Sequence, residues 1–255
     1  MRNPASRGGR PPHTPPRVLV AVAHGSADPR ASATIAELAA LARDRSPGLD
    51  LRTAFLGHAP PSLPQVLSTI EADREVTVLP LLLTAAHHSK ADIPRMLART
   101  PRPRASYGAT LGPHPLLLDA LERRLAEADP GADPAGTAVV LAAAGSSDPE
   151  ANATIASMAA QWQARTGWFA VRPAYASAAE PSPAAAVTGL LRDGAPRVVV
   201  ATYLLAPGLF ADRIRHASLA AGAAAVSPAL GACAEVADVM LGRFAQTAST
   251  RRTAA

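Results

Sequence analysis

The chain carries a single cysteine, Cys233, so no intramolecular disulfide can form and a reducing compartment is expected. Aromatic residues are scarce at 4%, so a core must be built from Ala, Leu and Val, with helix faces packed on Val-rich strands. No apolar run reaches the roughly 18 residues that span a membrane before a charge or a proline interrupts it. The opening "MRNPASRGGRPPHTPP" has no apolar stretch of the kind a secretory signal needs, and reads as a disordered tail. These absences together point to a cytoplasmic protein without membrane contact.

A local excess of basic charge is also missing. The net charge is +5, but Arg2, Arg7 and Arg10 lie in the first tail and Arg251 and Arg252 near the end. Taking those five away leaves a formally neutral body. A basic groove with stacking aromatics is not indicated, and nucleic acid is excluded as the expected partner.

What is present is a repeat. "AHGSADPRASATIAELAA", Ala23 to Ala40, aligns without a gap on "AAGSSDPEANATIASMAA", Ala143 to Ala160, at an offset of 120 residues. "AFLGHAPPS" aligns on "AYASAAEPS", "VTVLPLLL" on "VVVATYLL", and "TLGPHPLLLDALERRL" on "ALGACAEVADVMLGRF". The period is that of a whole domain. Each half alternates short, β-branched apolar runs with helical patterns. "RVLVAVA", "LDLRTAFL", "EVTVLPLLL" and "RASYGAT" read as strands. "DPRASATIAELAALARD", "PSLPQVLSTIEA", a segment from about Ala91, and "PLLLDALERRLAEA" read as helices. Such alternation predicts an α/β fold of two tandem duplicated domains, each a mostly parallel four-stranded sheet with helices on both faces. The expected boundaries are a tail over 1–16, a domain over 17–128, a linker over 129–136, a second domain over 137–246 and a disordered tail over 247–255.

In a parallel α/β sheet, ligands bind outside the carboxyl ends of the strands. His24, His58, His87, His88 and His114 all follow predicted strands of the first half; only His13 and His216 lie elsewhere. A lone histidine at a strand end is ordinarily a hydrogen-bonded loop residue. Five on one edge weaken that reading, and the second half has none in these places: His24 aligns with Ala144, His58 with Ala178 and His88 with Phe210. One copy reads as active and the other as structural. Imidazole binds first-row divalent metals and serves as a base near neutral pH. There is no HExxH, no CxxC and no acidic cluster, which argues against a permanent structural zinc and for transient metal handling. Nor is there a nucleophile elbow or a phosphate-loop lysine. Gly25 would let backbone approach a ligand and Ser26 would cap a helix. Plain capping is the simpler account of Ser26 and Asp28, because the second half keeps Ser146 and Asp148 without the histidines.

"HGSADPRA" after the first strand and "LPLLLTAAHHSKADIP" after the third resemble the sirohydrochlorin chelatase family, the class II tetrapyrrole chelatases, in its two-domain form. The resemblance implies ATP-independent insertion of Fe(II) or Co(II), as substrate metal, into sirohydrochlorin, a methylated, carboxylate-rich tetrapyrrole, for sirohaem or cobalamin synthesis. It implies no permanent cofactor. It places two facing histidines in catalysis and metal contact, His24 of HGS and His88, four residues before Asp92. Gly25, Ser26, His58, His87 and His114 are then expected to line the substrate site. Adjacent side chains at a strand end diverge, so His87 is assigned to the pocket wall rather than to the metal. One departure stands out: relatives often carry an acidic residue where this chain has Gly57, and the neighbouring His58 is the available substitute. A non-catalytic tetrapyrrole or metal carrier is the alternative. The second half is expected to pack on the first as a dimer partner would, making a monomer with an internal pseudo-dimer.

Overall fold

The computed structural model describes residues 17–86, 88–100 and 105–253. The expected tail over 1–16, His87, and residues 254–255 lie outside the described residues. The first half runs β1 (Val18–Ala23), α1 (Pro29–Arg45), β2 (Asp50–Phe55), α2 (Leu63–Ser68), β3 (Val76–Pro80), a π turn (His88–Asp92) leading into α3 (Ile93–Arg99), β4 (Ala105–Tyr107) and α4 (Pro115–Ala128). The second runs β5 (Thr137–Ala143), α5 (Pro149–Arg165), β6 (Ala170–Tyr175), α6 (Pro183–Arg192), β7 (Arg197–Tyr203), α7 (Leu209–Ala220), β8 (Ala225–Val226) and α8 (Ala234–Thr253). Each half forms one parallel four-stranded sheet, in the orders β2-β1-β3-β4 and β6-β5-β7-β8. The fold class is the one the repeat predicted.

The shared D-P frame explains why corresponding helices start alike. Asp28 accepts from the Arg30 amide at 2.9 Å, and Asp148 from the Glu150 amide at 3.0 Å. Proline follows each cap at the first helical position, where its missing N–H costs nothing. α2 stops at Ser68, short of the expected Ala72. There the Thr69 hydroxyl donates to the Val66 carbonyl and the Arg52 guanidinium to Thr69, which turns the chain so that Ile70 enters the core. At the other end, the disordered tail expected over 247–255 is a correction: α8 stays helical to Thr253. The stretch from Thr247 holds neither Gly nor Pro, and a helix already nucleated by packing propagates through its Ala and Arg at little cost.

Strand side chains alternate between two cores. Val18, Val20 and Val22 face an outer cluster belonging to the first half, and Val140, Val198 and Val200 one belonging to the second. The opposite faces do not stay separate. Leu19, Leu38, Leu117 and Leu121 share a single cluster with Leu141, Trp162, Val236 and Met240. The repeats are thus fused through the helices between their sheets. Polar ties cross the same seam. The Trp162 and Trp168 indoles both donate to Glu122 Oε1, Trp168 at 2.9 Å. The Arg124 guanidinium donates twice to the Leu230 carbonyl, and Tyr203 Oη donates to the Leu83 carbonyl at 3.1 Å.

Arg123 on α4 meets Glu235 on α8 at 3.0 Å. This guanidinium hydrogen bond holds the Glu235 carboxyl down at about 2, against an ordinary 4.5. A depressed carboxyl stabilises the fold fully above its unfolded value, and the contribution fades as pH falls from about 4.5 to about 2. Urea midpoints should therefore drop less steeply over that window in Glu235→Gln than in the wild type; parallel curves would refute the assignment.

Candidate functional site

The site is built where the parallel ladder of β1 and β2 runs on past the strands. Leu56 N–H donates to the Ala23 carbonyl at 3.0 Å and Gly57 N–H to the His24 carbonyl at 3.2 Å. These bonds bind the loop after β2 to the His24–Asp28 loop. Gly25 has φ +87°, and a Cβ there would lie 1.8 Å from the Gly57 carbonyl oxygen. Only glycine permits that approach. Gly145 repeats the geometry, with φ +83° and 1.9 Å to the Ser177 carbonyl. The glycine is thus demanded by the scaffold in both halves, a packing reason beside the ligand approach expected of it.

His58 has the left-handed φ of 61°, matched by 59° at Ala178. Here too the backbone is inherited from the scaffold; the imidazole is what the first half adds. That backbone brings the ring over the neighbouring loop, where its centroid lies 6.3 Å from that of His24 with the planes 20° apart. Both residues are exposed. The His24 Nδ1 is 3.0 Å from the Gly25 carbonyl, which can only accept; in the neutral ring that contact calls for the proton on Nδ1 and leaves the lone pair to Nε2. His88 enters through its backbone as the first residue of the π turn after β3.

The remaining predicted residues have other engagements. Ser26 Oγ accepts from the Asp28 amide at 3.0 Å, and Ser146 Oγ does the same for Asp148. This is turn chemistry common to both copies. His114 caps α4, its Nδ1 accepting from the Leu116 amide at 3.2 Å. Burial and then the nearby Arg243 guanidinium push its pKa down, which suits an acceptor nitrogen. Its ring nitrogen is committed to a helix end rather than to the His24–His58 pair. Among the described residues, no group of three or more His, Cys, Asp or Glu could hold a metal ion. A Cβ at Gly57 would meet nothing within 4 Å, so packing does not forbid a side chain there.

Sequence reasoning missed the residues that bridge the halves beside this edge. Lys90, the chain's only lysine, reaches from the π turn to Asp148 at 2.9 Å and Glu150 at 2.8 Å at the start of α5. Arg30 at the start of α1 holds its own Asp28 at 2.6 Å and Asp212 of α7 at 2.7 Å. Arg30 and Glu150 are equivalent positions of the repeat, as are Lys90 and Asp212, so the two bridges have opposite polarity. The aligned charge reversals were visible; that the positions face each other was not, because it depends on how the halves pack.

Fold and site together define a tandem α/β protein that keeps paired imidazoles on the carboxyl edge of one repeat alone. The CbiX family model matches this chain twice, over residues 18–128 and 138–247, and the chain belongs to that family. It is 29% identical to the sirohydrochlorin cobaltochelatase of Priestia megaterium over 76% of this chain and 66% of that protein. It is 30% identical to the sirohydrochlorin ferrochelatase of Bacillus subtilis (strain 168) over 55% of each. The match therefore spans at most 66% of either relative's length. SirB from Bacillus subtilis with Fe3+ superposes with a TM-score of 0.80 at 24% identity, covering 93% of this chain and 98% of that one. CbiX, the terminal enzyme for biosynthesis of siroheme in denitrifying bacteria, gives 0.67 at 24% identity over 90% and 99%. Both likenesses bear on the fold. No helix among the described residues is long and apolar enough to cross a membrane.

Proposed function

We propose that this chain is a sirohydrochlorin chelatase, a lyase-class enzyme that places Fe(II) or Co(II) in sirohydrochlorin without ATP, acting in the cytoplasm as a monomer. The observation that carries the reading is the His24–His58 pair, present in the first copy and replaced by Ala144 and Ala178 in the second. Insertion exchanges two pyrrole N–H protons for one divalent metal. The protein must hold the metal loosely and receive those protons. The Nε2 lone pair of His24 suits either task, and an exposed imidazole gives up its ligand readily. His58 supplies a second imidazole beside it, doing here what a carboxylate at position 57 would do. His88, the first residue of the π turn after β3, is assigned to the same chemistry as the partner of His24. Gly25 belongs to the wall of the same pocket. The second copy contributes packing rather than chemistry.

The test is multiple-turnover insertion of Co(II) or Fe(II) into sirohydrochlorin, followed by absorbance against the spontaneous rate. A rate no faster than spontaneous refutes the reading, and a single burst equal to the protein concentration makes the chain a carrier. Within the same assay, His58→Ala should slow insertion about 10- to 100-fold, in the lower range of acid–base and ligand contributions. Gly57→Glu in that background should restore most of the loss, since the space is open. A full-speed His58→Ala enzyme would remove His58 from the metal path.

A further inference from the structure

We infer that the second half furnishes the wall against which the tetrapyrrole ring lies, through Leu209, Phe210 and Arg213 in the first turns of α7. The inference rests on the chelatase reading above and adds a substrate-binding role for the copy that lacks the histidines.

The placement follows from contacts on either side of the dipeptide. Gly208, just before it, approaches the histidine loop of the other half: its virtual Cβ lies 3.9 Å from Ser26 Oγ and 4.0 Å from Asp28 Cβ. Asp212, just after it, is pinned to Arg30 at 2.7 Å. Leu209 and Phe210 are therefore bracketed against the loop that begins at His24. Neither is absorbed by its own half. Leu209 is 61% exposed and Phe210 39%, among the few large apolar side chains left open to water. Phe210 heads the stripe that continues into buried Ile214 and Ser218, but is itself left open to water at the first turn. Exposed apolar side chains at the mouth of a polar site are what a flat, largely apolar ligand recognises.

The charge fits the same ligand. Arg213 lies four residues after Leu209, hence on the same flank of the helix, and is exposed. It makes no ion pair among the described residues. A macrocycle with an apolar ring and a carboxylate rim would set its ring on Leu209 and Phe210 and a side-chain carboxylate on Arg213. Phe210 occupies the position equivalent to His88, so loss of a histidine there exchanged a reactive group for a supporting one.

The experiment compares wild type with Leu209→Ser, Phe210→Ser and Arg213→Ala, and with Leu219→Ser as control. Leu219 lies on the same helix at its far end and is comparably exposed, at 40%. Sirohydrochlorin affinity is read by fluorescence titration without metal, and KM and kcat from Co(II) insertion. Each of the three variants should weaken binding and raise KM about 5- to 10-fold, with kcat and the Co(II) dependence within about twofold. The control should match wild type. If wild type turns over and the three variants keep its affinity and KM, or if Leu219→Ser moves as far as they do, the wall is refuted and the chelatase reading stands. If wild type neither binds nor metallates sirohydrochlorin, the reading fails and the wall with it.

Discussion

Alanine in place of His24 should cut the rate of metal insertion by about 10²- to 10⁴-fold, the range expected for a positioned acid–base group. The fold should not change. The protein contains its own control for that claim, because Ala144 already occupies the equivalent place in the second copy. The loop there keeps the same backbone bonds, with Ala176 N–H donating to the Ala143 carbonyl at 2.9 Å and Ser177 N–H to that of Ala144 at 3.0 Å. The glycine that follows keeps its positive φ. Loop shape is thus set by backbone and glycine rather than by the imidazole. Melting temperature and insertion rate, measured on one preparation, check both parts. A variant retaining more than about a tenth of the wild-type rate would exclude His24 from the proton and metal path.

The largest expected loss of stability lies far from that edge, at Glu122. Its Oε1 accepts from two indoles, Trp162 and Trp168, which are 1% and 7% exposed. Alanine would strand two buried N–H donors at once and remove hydrogen bonds to a charged acceptor, costing about 3–5 kcal/mol. For a chain of this size that is a fall of roughly 10 °C in melting temperature. Glu122→Gln keeps an acceptor oxygen and should lose less than half as much. Equal melting temperatures for wild type and Glu122→Ala would show that the indoles find other partners, and that this junction between the halves does not depend on the carboxylate.

Much of this architecture was legible in the repeat. The D-P frame marked the starts of α1 and α5, and the apolar β-branched runs marked strands buried on both faces, because both signals are local. The simpler account of Asp28 as a capping residue also stood, while Ser26 bonds the Asp28 amide in the turn before the helix; both bonds lie within two residues. What could not be read was direction. His114 follows a strand as His58 does, yet its ring turns inward to cap α4, while His58 is carried toward His24 by a left-handed backbone that no histidine announces. The fused inner core, Glu122 and the Arg30 and Lys90 bridges were hidden for a related reason. Their partners are 40 or more residues away and depend on how two helix layers meet.

The opposite polarity of those two bridges has a consequence for how the chain assembles. A true homodimer must satisfy the same contact twice, residue i on j and j on i. Here that demand has been abandoned. Two first halves set together in this arrangement would gather Lys90 and Arg30 around the lone carboxylate of Asp28. Two second halves would set Asp212 against Asp148 and Glu150 with no cation between them. Each half is therefore electrostatically mismatched to its own kind and matched to the other, a partner choice enforced by repulsion as well as attraction. In this protein the charges at the seam favour the histidine-bearing copy facing the one that lacks them over either copy facing its own kind.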